Sequence, residues 1–217
     1  MGQPLPLPKV TAMFEMSRRA VLAGLSVLPV AGCVATPPEI PPIDYGMILD
    51  GGIPVPAVPA NEVPERLRRQ VVPYETDLRA GSVVILRDQR VLYLVLRRGF
   101  ALRYSVAIGR DALAWSGEAV VARRAVWPEP APTAGAPDLM APMGVPDVEG
   151  PVVPSRPLGA RALYLANAAG EEIGLSIHGS PTGGAAQGFE NSGFRLINQE
   201  MIDLYDRVED GARVVIR

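Results

Sequence analysis

Residues 177–205 read IHGSPTGGAAQGFENSGFRLINQEMIDLY, and the rest of the chain is best understood from this stretch outward. Leu175 and Ile177 alternate with polar neighbours, which puts His178, the one histidine of the chain, near the end of a buried strand. Gly179 follows, then a glycine-rich segment, then NSGFRLIN. From Asn198 the period changes to that of a helix. Met201, Leu204, Tyr205 and Val208 form its apolar stripe, Asn198 suits the N-cap, and Glu200 and Asp203 place negative charge early in the helix. A histidine beside a glycine turn that runs toward a helix supplies a base and backbone N–H donors for an oxyanion. Both are what acyl transfer needs around its nucleophile.

Upstream of this stretch the pattern is of strands. SVVILRD, QRVLYLVLRRG and ALRYSVAIGRD are β-branched and aromatic runs with short polar or glycine breaks, a meander. WSGEAVVARRAVWP supplies a fourth strand with Trp-Ser-Gly as its turn, ARALYLAN and EEIGLSIHG two more, and DGARVVIR the last. Between them, Pro128 to Pro157 carries nine prolines. Proline cannot donate to a ladder, so this segment is expected as a loop, lying over the His178 face. The chain reads as mainly β with one C-terminal helix, in a single domain spanning 75–217.

Taken together, PLGARALYL, IHGS and SGFRLINQEMIDLYDRV resemble the L,D-transpeptidase catalytic-domain family of bacterial cell-wall enzymes. RYSVAIGRD and WSGEAVVARRAVWP match that family's first half, so the resemblance covers roughly 82–217. It implies an L,D-transpeptidase-type β-sandwich with one C-terminal α-helix packed on it. It also implies acyl transfer between peptidoglycan stem peptides through a cysteine thioester, with His178 as base and no metal or cofactor. Gly179 and Arg195 would fall on the substrate side, with Ser192, Gly193 and Phe194 in the nucleophile turn. Arg195 is read either as a carboxylate-binding group or as half of a structural ion pair. Trp115 and Trp127 are read as packing residues.

The cysteine itself is missing. The family pattern runs serine, any residue, glycine, cysteine, a hydrophobic residue, arginine, whereas this chain reads Ser192, Gly193, Phe194, Arg195. Aligned on Arg195, the gap falls between Gly193 and Phe194. Counted forward from His178, Phe194 stands where the thiol belongs. Either way no thiol is present, and Ser192 is the one hydroxyl in the motif. Three functions follow: a transpeptidase of peptidoglycan metabolism with its turnover opposed by the missing thiol, an inactive module that binds stem peptides or a partner, or a structural lipoprotein of the envelope.

The N-terminal third reads differently. Arg18 and Arg19 precede an apolar run from Ala20 to Ala31, shorter than the roughly 20 residues a membrane span needs, so residues 1–32 are expected as an export signal. LPVAGC resembles a bacterial lipobox. That resemblance makes Cys33 the lipidated first residue of a periplasmic, membrane-anchored protein; the alternative is a plain thiol behind an ordinary signal. Residues 33–74, with eight prolines between Val34 and Pro64, read as a tether, with space for one short helix in NEVPERLRRQVVPYET. The net charge of −2 gives no broad basic surface, so nucleic acid is not an expected partner.

Overall fold

The computed structural model describes residues 36–61, 63–128, 158–180 and 193–217. Cys33, the export-signal segment, Ser192 and all of the proline-rich segment beyond Pro128 up to 157 lie outside the described residues. In chain order the strands are β1 (Ile48–Asp50), β2 (Ile53–Val55), β3 (Gln70–Pro73), β4 (Val83–Leu86), β5 (Val91–Val95), β6 (Phe100–Ser105), β7 (Ala107–Ile108), β8 (Gly117–Val126), β9 (Arg161–Ala166), β10 (Glu172–His178), β11 (Phe194–Arg195) and β12 (Arg213–Ile216). A short helix α1 (Arg110–Ala114) precedes β8, and the longer α2 (Asn198–Arg207) lies between β11 and β12.

The domain is mainly β, with the C-terminal helix packed on it. Ten strands form one sheet in the order β3-β6-β5-β4-β12-β8-β9-β10-β11-β7. β4, β5 and β6 are the expected antiparallel meander. β12 inserts parallel to β4 and antiparallel to β8, which joins the meander to the second half of the domain. β6 and β7 are separated only by Val106, yet they lie second and last in the sheet order. Two peptide units span at most about 7 Å, so the sheet has to curl back on itself. The layers of the fold therefore come from one rolled sheet.

Alternation along each strand fills the space inside the curl. Ile85, Leu92, Leu102, Tyr104, Leu163, Leu165, Ile177, Phe194 and Ile216 share one core with Met201, Leu204 and Val208 of the helix. Tyr205 is half-buried against the same cluster, so the whole predicted stripe of α2 is used. Trp115 also packs against this core.

Several expectations need correction. The run ALRYSVAIGRD is not a single strand: it breaks at Val106, and α1 begins at Arg110. Gln70–Pro73, ahead of residue 75, pairs with β6 as the edge strand β3. Proline at the end of an edge strand costs no internal ladder bond, which is why Pro73 is tolerated. Within 33–74, the described part is no free tether. Its Gly51-Gly52 pair takes positive φ at both positions (59° and 85°), the requirement of a two-residue hairpin turn, and closes β1 on β2. The helix expected nearby is a single 3-10 turn at Glu65–Leu67.

Side chains dock this N-terminal segment on the domain. Asp50 accepts two hydrogen bonds from Arg161, at 2.6 and 2.7 Å. Gln199 donates to the Pro56 carbonyl at 2.8 Å. Tyr45 donates its hydroxyl proton to Glu200 at 2.8 Å, and the Arg69 amide donates to the same oxygen at 2.9 Å. Arg69 also pairs with Asp203, which accepts from the Tyr104 hydroxyl at 2.7 Å.

Candidate functional site

His178 is the last residue of β10 and is fully buried. Its neighbours follow from register. β11 runs parallel to β10, pairing Ile177 with Phe194 and His178 with Arg195. On the other side β9 pairs Leu163 with Ile177 and Ala162 with His178. Register partners share a face, and successive residues alternate between faces. One row, Leu163, Ile177 and Phe194, therefore points into the core. The next row, Ala162, His178 and Arg195, points to the opposite face. The small Ala162 stands on one side of the imidazole, and the guanidinium-bearing Arg195 stands on the other.

Burial governs the electrostatics of this row. Desolvation pushes the His178 imidazole down to about 4, the positive charge of Arg195 acts in the same direction, and the contact with the Gly179 carbonyl (2.8 Å from Nδ1) opposes both. At neutral pH the ring is uncharged. Arg195 is itself buried, and desolvation lowers its pKa as well. A neutral imidazole next to a guanidinium can accept a proton from an acidic group, and it is a poor reservoir for a permanent positive charge.

Gly193 precedes the row. It continues the β11 ladder by accepting a hydrogen bond from the Gly109 amide at 2.9 Å, beyond the pairing of Phe194 with Ile108. Two residues before Arg195, it falls on the His178 face. Its φ is 143°, and a Cβ built there would collide with the Ser176 carbonyl oxygen. β11 thus approaches β10 more closely than a residue with a side chain allows.

The strand exit after His178 is held by a residue whose role the sequence did not reveal. Asn198 is the first helical residue of α2, not its cap; the cap position is Ile197, without a side-chain hydrogen bond. The Asn198 side chain turns away from the helix. Its Oδ1 accepts from the Ala160 amide at 2.9 Å, and its Nδ2 donates to the Ser180 carbonyl at 2.6 Å. It therefore clamps the segment entering β9 to the segment leaving β10. Gly159 and Gly179 make this possible, since a Cβ on either would collide with Oδ1. An asparagine at a helix start is an ordinary capping signal, so no local pattern distinguishes this use.

The sequence-predicted residues divide accordingly. His178, Gly179, Gly193 and Arg195 come together. Phe194 is adjacent in sequence but fully buried in the core, on the face away from His178, so it cannot occupy a nucleophile's position. Ser192 lies outside the described residues. Trp127 holds a positive φ of 46° just past the end of β8, and after Arg161 its indole helps hold the Asp50 carboxyl below its usual range, so it belongs to the docking of the N-terminal hairpin.

Fold and site define a rolled, mainly β domain in which a buried imidazole and guanidinium share a row with a side-chain-free position beside them. No family model and no curated protein matches the chain. Among solved structures it is similar to a probable carnitine operon oxidoreductase CaiA from Brucella melitensis, with 27% identity and a TM-score of 0.40 over 69% of this chain and 93% of that one. It is similar to Bd1075 of Bdellovibrio bacteriovorus at 16% identity and a TM-score of 0.41, over 68% of this chain and 54% of that one. An L,D-transpeptidase from Xylanimonas cellulosilytica gives 16% identity and a TM-score of 0.41, over 66% and 65%. These are distant likenesses.

Proposed function

We propose that this chain is an envelope protein of L,D-transpeptidase type that binds peptidoglycan stem peptides and does not transfer them. The observation that carries the reading is Gly193. In the family pattern the cysteine stands two positions before the arginine, on the same face. Here that position is Gly193, and the ladder runs through Arg195 without a gap. The Ser176 carbonyl occupies the space a side chain would need. The site keeps the base, the arginine and the close strand approach, and it lacks the group that would carry the acyl chain. Arg195 would serve to hold a stem-peptide carboxylate.

The test is direct. The purified protein is incubated with tetrapeptide muropeptides, and D-alanine release is followed by mass spectrometry while binding is followed by NMR. Saturable binding without release or thioester supports the reading; release that persists in Ser192→Ala and Cys33→Ser overturns it. A second reading, turnover by the Ser192 hydroxyl with His178 as base, is favoured by that serine's place next to Gly193. It requires release that Ser192→Ala abolishes.

Membrane attachment through a lipid on Cys33, on the periplasmic side, completes the proposal and rests on LPVAGC after a short apolar run. Loss of acyl label and of membrane partitioning in Cys33→Ser supports it, and unchanged partitioning sinks it.

A further inference from the structure

A concavity of about 620 Å³ lies at the other end of α2 from the His178 site. Topology assembles it. β4 begins at Val83 and pairs with the end of β5, where the Gly81 amide donates to the Val95 carbonyl at 2.9 Å. β12 runs parallel to β4 and starts beside it, with Val214 opposite Val83. The approach to β4, the exit from β5 and the turn between α2 and β12 therefore meet at one end of the sheet. Asn198, next to His178, is separated from Arg207 by nine helical steps, about 14 Å at the usual rise per residue.

Charges of both signs line this cleft. On the β4–β5 side stand Arg79 and Arg97; on the α2–β12 side stand Glu209 and Asp210. Among the described residues none of these four takes part in an ion pair. Two further arginines of the lining are already engaged, Arg207 with Asp203 and Arg213 with Glu118. Two cations and two anions that face one cavity without closing on each other leave room for a ligand carrying the complementary pair. A plain anion would meet the two carboxylates, and a plain cation the two guanidiniums; each is penalised by like charge.

We propose that this cleft binds a small zwitterion, an amino acid or a short peptide with both termini free, with its carboxylate at Arg79 and Arg97 and its ammonium at Glu209 and Asp210. The inference does not rest on the reading of the His178 site. Guanidinium and carboxylate form strong, directional hydrogen bonds, which gives the carboxylate end its orientation. The turn at Glu209 and Asp210 follows the C-terminus of α2, whose partial negative charge favours an ammonium there.

The experiment uses the full chain and the dipeptide alanyl-alanine as probe, with free alanine, N-acetyl-alanyl-alanine, alanyl-alanine amide and inorganic phosphate in parallel titrations. The dipeptide is expected to bind saturably, with amide shifts at Gly81, Ser82 and Gly211. Acetylation and amidation are each expected to weaken binding at least tenfold, and phosphate to compete poorly. Comparison with free alanine separates an amino-acid site from a short-peptide site. Arg97→Gln should remove the preference for the free carboxylate, and Asp210→Asn the preference for the free amine, in variants whose thermal melts match the parent. Equal binding of the capped dipeptides, phosphate binding as tight as the dipeptide's, or shifts centred on Gly179 and Gly193 would each overturn the proposal.

Discussion

Gly193 lies so close to Ser176 that any β-carbon on it would strike the Ser176 carbonyl oxygen, and its φ of 143° is one that residues with side chains avoid. Replacing it by alanine or cysteine therefore adds strain of two kinds, steric and conformational. Gly193→Ala is expected to cost about 2–4 kcal/mol in urea unfolding. Gly193→Cys should cost at least as much and, on the proposed reading, should not confer acyl transfer by substitution alone. An unperturbed unfolding midpoint for Gly193→Ala would show that β11 can move away from β10, and that the missing thiol is no steric matter.

Phe194 and His178 sit on opposite faces of adjacent strands, and Phe194 is part of the central core. Phe194→Cys should lose about 3–5 kcal/mol, the usual cost of removing a buried ring. Its thiol should react with iodoacetamide far more slowly in the folded protein than a surface cysteine control. A cysteine inserted between Gly193 and Phe194 adds a residue to the ladder, and its thiol is expected to be the more reactive of the two. Fast labelling of Phe194→Cys under native conditions would contradict the pairing of Phe194 with Ile177.

Two buried groups give stability a pH dependence of opposite sign. Burial lowers His178 from 6.5 to about 4, so between those values the unfolded chain binds a proton that the folded one does not. Stability from this group is lost as pH falls through that window, on the order of 3 kcal/mol in full. Burial raises Glu200 from 4.5 to about 7, outweighing the hydrogen bonds from Tyr45 and the Arg69 amide. Here the folded state binds the extra proton, so stability falls as pH rises from 4.5 through 7, again by on the order of 3 kcal/mol. Between 4.5 and 6.5 the two slopes offset each other, and from 6.5 to about 7 Glu200 acts alone. Glu200→Gln keeps an acceptor oxygen for Tyr45 and Arg69, and it should flatten the curve between pH 6.5 and 7.5. Urea midpoints across that range check this. A variant curve parallel to the parent's would mean that Glu200 does not titrate there.

Asn198 makes two buried hydrogen bonds that join Ala160 to Ser180. Asn198→Ala leaves a donor and an acceptor unsatisfied and should cost about 2–4 kcal/mol. The Ala160 amide should then exchange with solvent markedly faster, while exchange in β4 and β5 is unchanged. If Asn198→Ala costs no more than the loss of an ordinary exposed cap, about 1 kcal/mol, the clamp is not formed.

Much of this protein is local and was readable as such. The strands β4, β5, β8, β9, β10 and β12 follow from alternating apolar residues. The stripe Met201, Leu204, Tyr205 and Val208 follows from helical spacing, and His178 at a strand end follows from the pattern that precedes it. Those periods depend only on neighbours along the chain. What the sequence could not determine depends on who pairs with whom. The proline-rich segment before residue 75 looked like a tether because its composition lacks a core of its own; Asp50, Tyr45 and Arg69 dock it on partners more than a hundred residues away. Asn198 reads as a cap whether it caps or clamps, because the deciding partners, Ala160 and Ser180, come from other strands. Gly193 reads as a turn glycine, and only the parallel pairing of β11 with β10 makes it a position where no side chain fits. Periodicity is written along the chain, whereas register and close approach arise between segments that meet only once the sheet has rolled closed.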